Sequence, residues 1–154
     1  MALTISYDAP TTALPSATSL IRATSGGTVF TNITYTSTAF DYFQDTAVVN
    51  DAFYISLGPY AMLPAGLTLY VGTAFAASSY TLVWEYYKWN DDGSYSWEAI
   101  EDIVDNTSSL SVTGSNTILF PNQRQPYLVT VNSVNGLWVR CRLSAVSGIT
   151  EGGA

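Results

Sequence analysis

The chain has 154 residues, of which 47% are apolar and only 11% are charged, and its formal net charge is −7. Five basic residues in all argue against nucleic-acid binding, because neutralising phosphates needs clustered Lys and Arg. The single cysteine cannot form an internal disulfide, and histidine, the usual general base and commonest metal ligand, is absent.

Length and composition together predict one all-β domain. A chain of this size can bury most of the surface that its unfolded form exposes, and its many Thr, Ser, Val and Tyr residues favour strands. No apolar run is long enough to cross a bilayer, and the N-terminus lacks the basic and apolar regions of a secretory signal. We therefore expect no membrane partner and folding in a reducing cytoplasm.

The first 40 residues are rich in Thr and Ser and carry only two charges, Asp8 and Arg22. Gly and Pro interrupt this segment and leave a predicted strand over residues 28–36. Two interpretations stay open: the segment is an arm that pairs with a neighbouring subunit, or its strands complete the sheets of its own chain. A β-sandwich domain over residues 41–145 and a small, polar C-terminal tail over residues 146–154 follow.

Strict alternation of apolar and polar residues predicts the next strands. Ala52–Leu57 places Phe53, Ile55 and Leu57 on one face, and Leu67–Gly72 repeats the pattern with two leucines and a valine. Residues 72–79 are mostly small and predict a connection.

The stretch Thr81–Asp105 holds three of the four tryptophans and seven of the twelve acidic residues. Its period of two predicts a β-hairpin, and Asn90–Gly93 supplies the turn. If those four residues form the loop, Tyr86 pairs with Trp97 and one large aromatic face results. Glu98–Asp105 then predicts either a helical turn or a strand that runs into a loop.

The rest of the chain predicts strands over Leu110–Thr113 and Asn116–Phe120, on either side of a turn at Gly114, and then over Tyr127–Val131 and Leu137–Leu143. About eight short strands with frequent turn signals indicate an antiparallel β-sandwich of the jelly-roll kind. Cys141 is in phase with the apolar residues of the last strand, so we expect it in the core as a small hydrophobe rather than as a reactive thiol.

A carboxylate pair is the remaining catalytic candidate. With a four-residue loop Glu85 faces Glu98, and two carboxyl groups about 5 Å apart suit a retaining glycosidase. The same pair also fits a solvated face, and no other feature indicates a sugar cleft, so we predict no enzyme.

The acidic residues of the hairpin turn and of the segment after the hairpin could supply oxygen ligands for calcium: Asp91, Asp92, Glu98, Glu101, Asp102 and Asp105. Their spacing does not match the twelve-residue EF-hand loop. We therefore interpret them as solvated turn and loop acids and predict no metal and no cofactor.

Three aromatic residues lie off the phase of the predicted core, namely Tyr87, Trp89 and Trp138. Such rings can form a partner interface or stack on sugars. The alternative is that they pack under loops of the same chain.

One family resemblance is carried by the order and spacing of motifs over residues 67–145. These motifs are Trp84-Glu85-Tyr86, Trp97, Asp105-Asn106-Thr107, Gly114, Phe120-Pro121 and Gly136-Leu137-Trp138-Val139-Arg140-Cys141-Arg142-Leu143. Together they resemble a β-sandwich module of tailed-phage virion proteins, in baseplate, tail or head-decoration proteins. One departure is the polar loop Asn122–Pro126, where that module often has an aromatic segment.

The resemblance implies a structural or binding role in a virion that is made in the host bacterial cytoplasm. We expect a capsid decoration protein that binds and stabilises the assembled shell, with the major capsid protein as partner and a homotrimer as the oligomer. A tail or baseplate component is the alternative within this class. From another class, a carbohydrate-binding or receptor-binding module would use exposed, coplanar aromatic rings as its platform.

Overall fold

The computed structural model describes residues 6–7, 19–33, 41–58 and 65–153, and the regular structure among them is β-strand. In chain order the strands are β1 (Ser6–Tyr7), β2 (Ser19–Thr24), β3 (Val29–Ile33), β4 (Ala52–Ser56), β5 (Gly66–Val71), β6 (Ala76–Trp89), β7 (Tyr95–Ala99), β8 (Val104–Asp105), β9 (Gly114–Leu119), β10 (Val129–Val131), β11 (Val134–Gly136) and β12 (Trp138–Glu151). Within the described part of the chain there is no helix with the length and apolar character that crossing a bilayer requires.

Two antiparallel sheets pack face to face around the main core. The larger sheet has the strand order β3-β2-β4-β12-β6-β7, and the smaller one has the order β1-β5-β9-β8. Phe53, Trp84 and Val139 of the larger sheet belong to the same buried cluster as Leu67 and Ile118 of the smaller sheet. The predicted antiparallel β-sandwich is therefore confirmed.

A second, smaller core covers part of the outer face of the six-stranded sheet. The hairpin β10–β11 places Val131 and Val134 against Trp138 and Tyr54. Because this face is covered too, strand β4 is buried on both sides, with Phe53 and Ile55 in the main core and its alternate residues in the second. The alternation predicted for this strand is confirmed.

The strand predicted over Leu110–Thr113 is wrong, because local hydrogen bonds hold this stretch as a loop. Asp105 accepts a hydrogen bond from the backbone N–H of Thr107 at 2.8 Å, and Thr107 Oγ1 accepts one from the backbone N–H of Leu110 at 2.8 Å. The three residues at 108–110 all have positive φ, which consecutive non-glycine residues of a strand do not adopt. Gly114 opens β9 and is not the centre of a turn.

Two stretches predicted as irregular, residues 76–79 and residues 147–151, pair with each other. Ala77 lies opposite Ile149 and Ser79 opposite Ser147, with two irregularities in the β12 register. The hydroxyl groups of Ser79 and Ser147 are 3.0 Å apart. Each stretch alone has too few apolar residues to predict a strand, so their pairing lengthens β6 and β12 only in the folded chain.

Part of the N-terminal segment completes the sheets of its own chain. Strand β2 pairs with β4 and with β3, and β1 pairs with β5. Of the strand predicted over residues 28–36, the structure has Val29–Ile33, and the rest lies outside the described residues. The arm remains a prediction for the part of residues 1–40 that is not described.

Candidate functional site

The hairpin β6–β7 is at one edge of the larger sheet and carries a group of exposed aromatic rings. Its register pairs Trp89 with Tyr95 and Tyr87 with Trp97. The loop is Asn90–Ser94, which is one residue longer than predicted. A register shifted by one residue moves every side chain of the returning strand to the other face, so the predicted pairing that put Trp97 on the core face is wrong.

Side-chain hydrogen bonds explain why Ser94 joins the loop. Its N–H and its hydroxyl both donate to Asp92 Oδ1, at 2.9 and 2.6 Å, and these bonds lower the pKa of the exposed Asp92 carboxyl. Asn90 Nδ2 donates to Ser96 Oγ at 2.6 Å, which ties the start of the loop to the returning strand. The turn therefore holds the hairpin in one geometry.

The corrected register also separates the two glutamates of the proposed catalytic pair. Glu85 lies opposite Ala99, whereas Glu98 lies opposite Tyr86 on the face of the main core. The predicted juxtaposition of Glu85 and Glu98 is wrong, because the additional loop residue places their side chains on opposite faces of the sheet.

Five rings form a continuous surface that we call the aromatic patch: Tyr87, Trp89, Tyr95, Trp97 and Tyr127. Tyr95 is at its centre, with ring centroids 4.8 Å from Trp89 and 4.5 Å from Tyr127. Tyr127 is held there because its N–H donates to the Tyr87 carbonyl at 2.9 Å. The Tyr127 hydroxyl also raises the pKa of Tyr95.

The rings of the aromatic patch do not share one plane. Tyr87 and Tyr95 are within 5° of parallel, but Trp89 stands at 84° to Tyr95 and at 57° to Tyr127. Trp89, Tyr95 and Tyr127 are 40%, 40% and 44% exposed. The surface is therefore a ridged apolar face and not a flat stacking platform.

The three aromatic residues predicted as contacts lie in different environments. Trp89 is exposed and Tyr87 is half-buried, and both belong to the aromatic patch. Trp138 is 1% exposed in the second core, with its ring 6.4 Å from that of Tyr54. It is off the phase of the main core, as predicted, but the hairpin β10–β11 covers it and makes it unavailable as a surface contact.

A buried ionic network lies next to the patch and contacts one of its rings. Arg140 Nε donates to Glu85 Oε2 at 2.6 Å, and Arg142 Nη2 donates to Glu85 Oε1 at 2.7 Å. The guanidinium carbon of Arg140 also lies 4.4 Å from the centroid of Trp97, a cation–π contact. Burial raises the pKa of Glu85, but the two arginines outweigh it and the pKa is lowered overall. Glu85 is therefore charged at neutral pH and holds the two arginines, one of which contacts the patch.

A polar cleft of about 350 Å³ lies on the other face of the hairpin. The charged side chains among those that line it are Lys88, Asp91, Glu98, Glu101 and Arg124. No salt bridge joins these five to one another among the described residues. Glu98 and Ala99 are among the lining residues, so the cleft adjoins β7 directly. Glu98 accepts a hydrogen bond from Ser96 Oγ at 2.7 Å.

Asp102, Asp105 and the cysteine have local structural roles. Asp102 accepts a hydrogen bond from Asn122 at 2.7 Å, and Asp105 holds the loop that follows it. Among the described residues no group of three or more Cys, Asp or Glu side chains is placed to hold a metal ion. Cys141 is fully buried, as predicted, and burial raises the pKa of its thiol.

Sequence reasoning missed Tyr95, Trp97 and Tyr127 as members of the site. A hairpin loop of five residues instead of four puts Tyr95 and Trp97 on the same face as Tyr87 and Trp89. The correct loop length would therefore have identified both residues. Tyr127 gave no sequence signal, because its place depends on a pairing between a distant loop and β6.

No protein-family model matches the chain, and neither a curated protein nor a solved structure matches it.

Proposed function

We propose that this protein is a non-enzymatic structural protein of a tailed-phage virion, which binds the assembled capsid shell through the aromatic patch and stabilises it. The observation that carries the proposal is the patch itself, with three large rings that are each about two-fifths exposed. Trp89 and Tyr95 are on a hairpin fixed by the sheet, the loop hydrogen bonds and the ionic network, and Tyr127 is hydrogen-bonded to that hairpin through its backbone. Aromatic residues in a preorganised setting are typical anchors of protein interfaces.

The location in a virion rests on the resemblance of residues 67–145 to the phage module. Two features of the chain suit the role. Glu85, the buried carboxylate, is neutralised by two arginines and serves as a scaffold. The one cysteine is buried, which suits folding in the reducing cytoplasm of a host bacterium.

Stabilisation follows if the protein binds only the assembled shell. A ligand that binds one state of an equilibrium shifts that equilibrium by mass action. A homotrimer would multiply the effect, since three linked patches bind with a higher effective concentration than one.

The proposal is tested with purified protein and expanded, undecorated capsids of the same phage. We expect saturable binding in a fixed ratio to capsid subunits and a higher melting temperature of the particle. Trp89→Ala should weaken binding by roughly tenfold or more, as loss of an interface anchor does. Val112→Ala is the matched control, because Val112 is 43% exposed but lies outside the patch.

The alternative functions predict other outcomes of the same experiment. Binding to isolated tails but not to capsids would overturn the capsid assignment and indicate a tail or baseplate component. Binding to host glycans alone would indicate a carbohydrate-binding module. The angle between Trp89 and its neighbours does not favour that alternative, because a sugar ring stacks on a flat aromatic face.

A further inference from the structure

Strand β7 is the last strand of the six-stranded sheet, and one of its edges is open among the described residues. Ile100 N donates to the Trp84 carbonyl, and Asn90 N donates to the Ser94 carbonyl. Hydrogen-bonded pairs alternate along an antiparallel ladder, so these two bonds fix which residues of β7 turn their backbone groups towards β6. The N–H and C=O groups of Tyr95, Trp97 and Ala99 point away from β6.

This open edge has neither proline nor lysine nor a bulge, and its one charged residue is Glu98 on the inner face. Exposed edges of globular proteins are commonly protected by such residues or by a bulge. An exposed row of backbone groups is a template for β-strand addition by a partner.

The two faces beside the edge differ in chemistry. Tyr95 and Trp97 belong to the aromatic patch on the outer face. Ser96 and Glu98 are on the inner face, next to the polar cleft. A strand that pairs with β7 would place alternate side chains against these two surfaces, because successive side chains point to opposite faces.

The charge around the edge indicates which kind of strand can pair with β7. The cleft carries three carboxylates, of Asp91, Glu98 and Glu101, against two cations, and the whole chain has a net charge of −7. A second copy of this chain would bring the same acidic strand and the same net charge, and like charges that lie opposite each other on paired strands are unfavourable. An extended segment with basic residues would instead be attracted to this acidic surface.

We propose that β7 binds an extended segment of a partner protein as a seventh strand of the sheet. The segment alternates apolar residues, which pack on the aromatic patch, with Lys or Arg residues, which face Glu98 and the cleft. Three backbone positions of β7 supply the hydrogen bonds. The inference deepens the proposed function, on which it rests for the partner's place in a virion, and it adds how the partner is held.

The test uses a nine-residue peptide that alternates valine and lysine, with the full-length protein. We expect saturable binding with a Kd below about 1 mM, together with NMR shifts and slowed hydrogen exchange at the amides of Tyr95, Trp97 and Ala99. The same residues rearranged into a valine block and a lysine block should bind at least about tenfold more weakly. Equal binding of the two peptides, or amide protection elsewhere, would overturn the proposal.

Two further probes isolate the backbone contribution. Methylation of alternate peptide nitrogens removes the donors of one edge of the ligand, so one of the two possible methylation patterns should abolish binding. Ala99→Pro removes an outward-pointing N–H from β7, at an edge position that tolerates proline, and should lower affinity at least about tenfold. Ala99→Ser is the matched control and should bind like the unchanged protein. Full binding after both methylations would refute strand addition, whether or not Ala99→Pro folds.

The peptide and capsid experiments can reject strand addition and the capsid assignment separately. If the peptide binds β7 but capsids do not bind, strand addition is retained and the capsid assignment is lost. If capsids bind through the aromatic patch but the peptide does not bind at millimolar concentration, the proposed function is retained and strand addition is rejected. A change in molar mass that shows β7-dependent self-association would identify a second copy as the occupant and would contradict the charge argument.

Discussion

Arg140 and Glu85 lie directly opposite each other on neighbouring strands β12 and β6, and their side chains form an ion pair with Nε and Oε2 2.6 Å apart. The Glu85 side chain is 7% exposed and that of Arg140 is 17% exposed. Arg142 completes the network from the same strand. This network therefore links the sheet to the aromatic patch, since Arg140 also lies over Trp97.

Glu85→Gln should destabilise the protein by about 2–3 kcal/mol. The substitution leaves two partly buried arginines without their counter-charge, and breaking a buried pair costs more than the pair contributes; partial exposure of the arginines reduces the cost. Urea unfolding followed by fluorescence measures the change. Glu98→Gln is the matched control, with an expected change below about 1 kcal/mol because Glu98 has no ion-pair partner among the described residues. Equal effects of the two substitutions would contradict this role for Glu85.

Stability should decrease at acidic pH through the same carboxylate. The pKa of Glu85 lies below its ordinary value of 4.5 in the folded chain, so the unfolded chain takes up the proton first as the pH falls. The stabilisation by Glu85 is thus present above pH 4.5 and is lost as the pH falls towards the folded pKa. Unfolding free energies measured between pH 7 and pH 3 should decrease less steeply in Glu85→Gln than in the unchanged protein. An equally steep decrease in Glu85→Gln and in the unchanged protein would argue against Glu85 as the source.

Trp138 and Trp89 should differ in how strongly acrylamide quenches their fluorescence and in how much stability is lost when each is replaced by alanine. Trp138→Ala removes a ring that is 1% exposed and should cost about 3–5 kcal/mol through lost burial and a cavity. Trp89→Ala should change the free energy of unfolding by less than about 1 kcal/mol, because its ring is 40% exposed. Acrylamide quenching should lose its most accessible component in Trp89→Ala. Strong quenching of Trp138 in the native protein would show that the hairpin β10–β11 does not cover it.

Cys141 should be inert towards thiol reagents in the folded protein. It is fully buried between β4 and β6, and burial raises the pKa of its thiol, so neither access nor thiolate is available. A chromogenic disulfide reagent should label one thiol per chain in denaturant and none in buffer. Rapid labelling of the native protein would place Cys141 outside the core.

Much of the fold follows from local chemistry that the sequence displays. Alternation in Ala52–Ser56 and Gly66–Val71 identifies two central strands and their buried faces, and the phase of Cys141 places it in the core. The site was only partly predictable. Trp89 and Tyr87 were identified, but Trp97 was assigned to the wrong face because one loop residue inverts the register.

The amino-acid sequence by itself determined the fold class, the main core and the absence of histidine chemistry, because side-chain periodicity and composition are properties of the chain. Only the tertiary structure decided the remainder. The pairing of residues 76–79 with residues 147–151 and the position of Tyr127 in the aromatic patch join segments that are distant in sequence. Trp138 is covered by the hairpin that precedes it in the chain, once that hairpin packs on the outer face of the larger sheet. No short sequence pattern predicts these contacts, because each segment is stabilised only by packing or pairing with another segment in the folded chain.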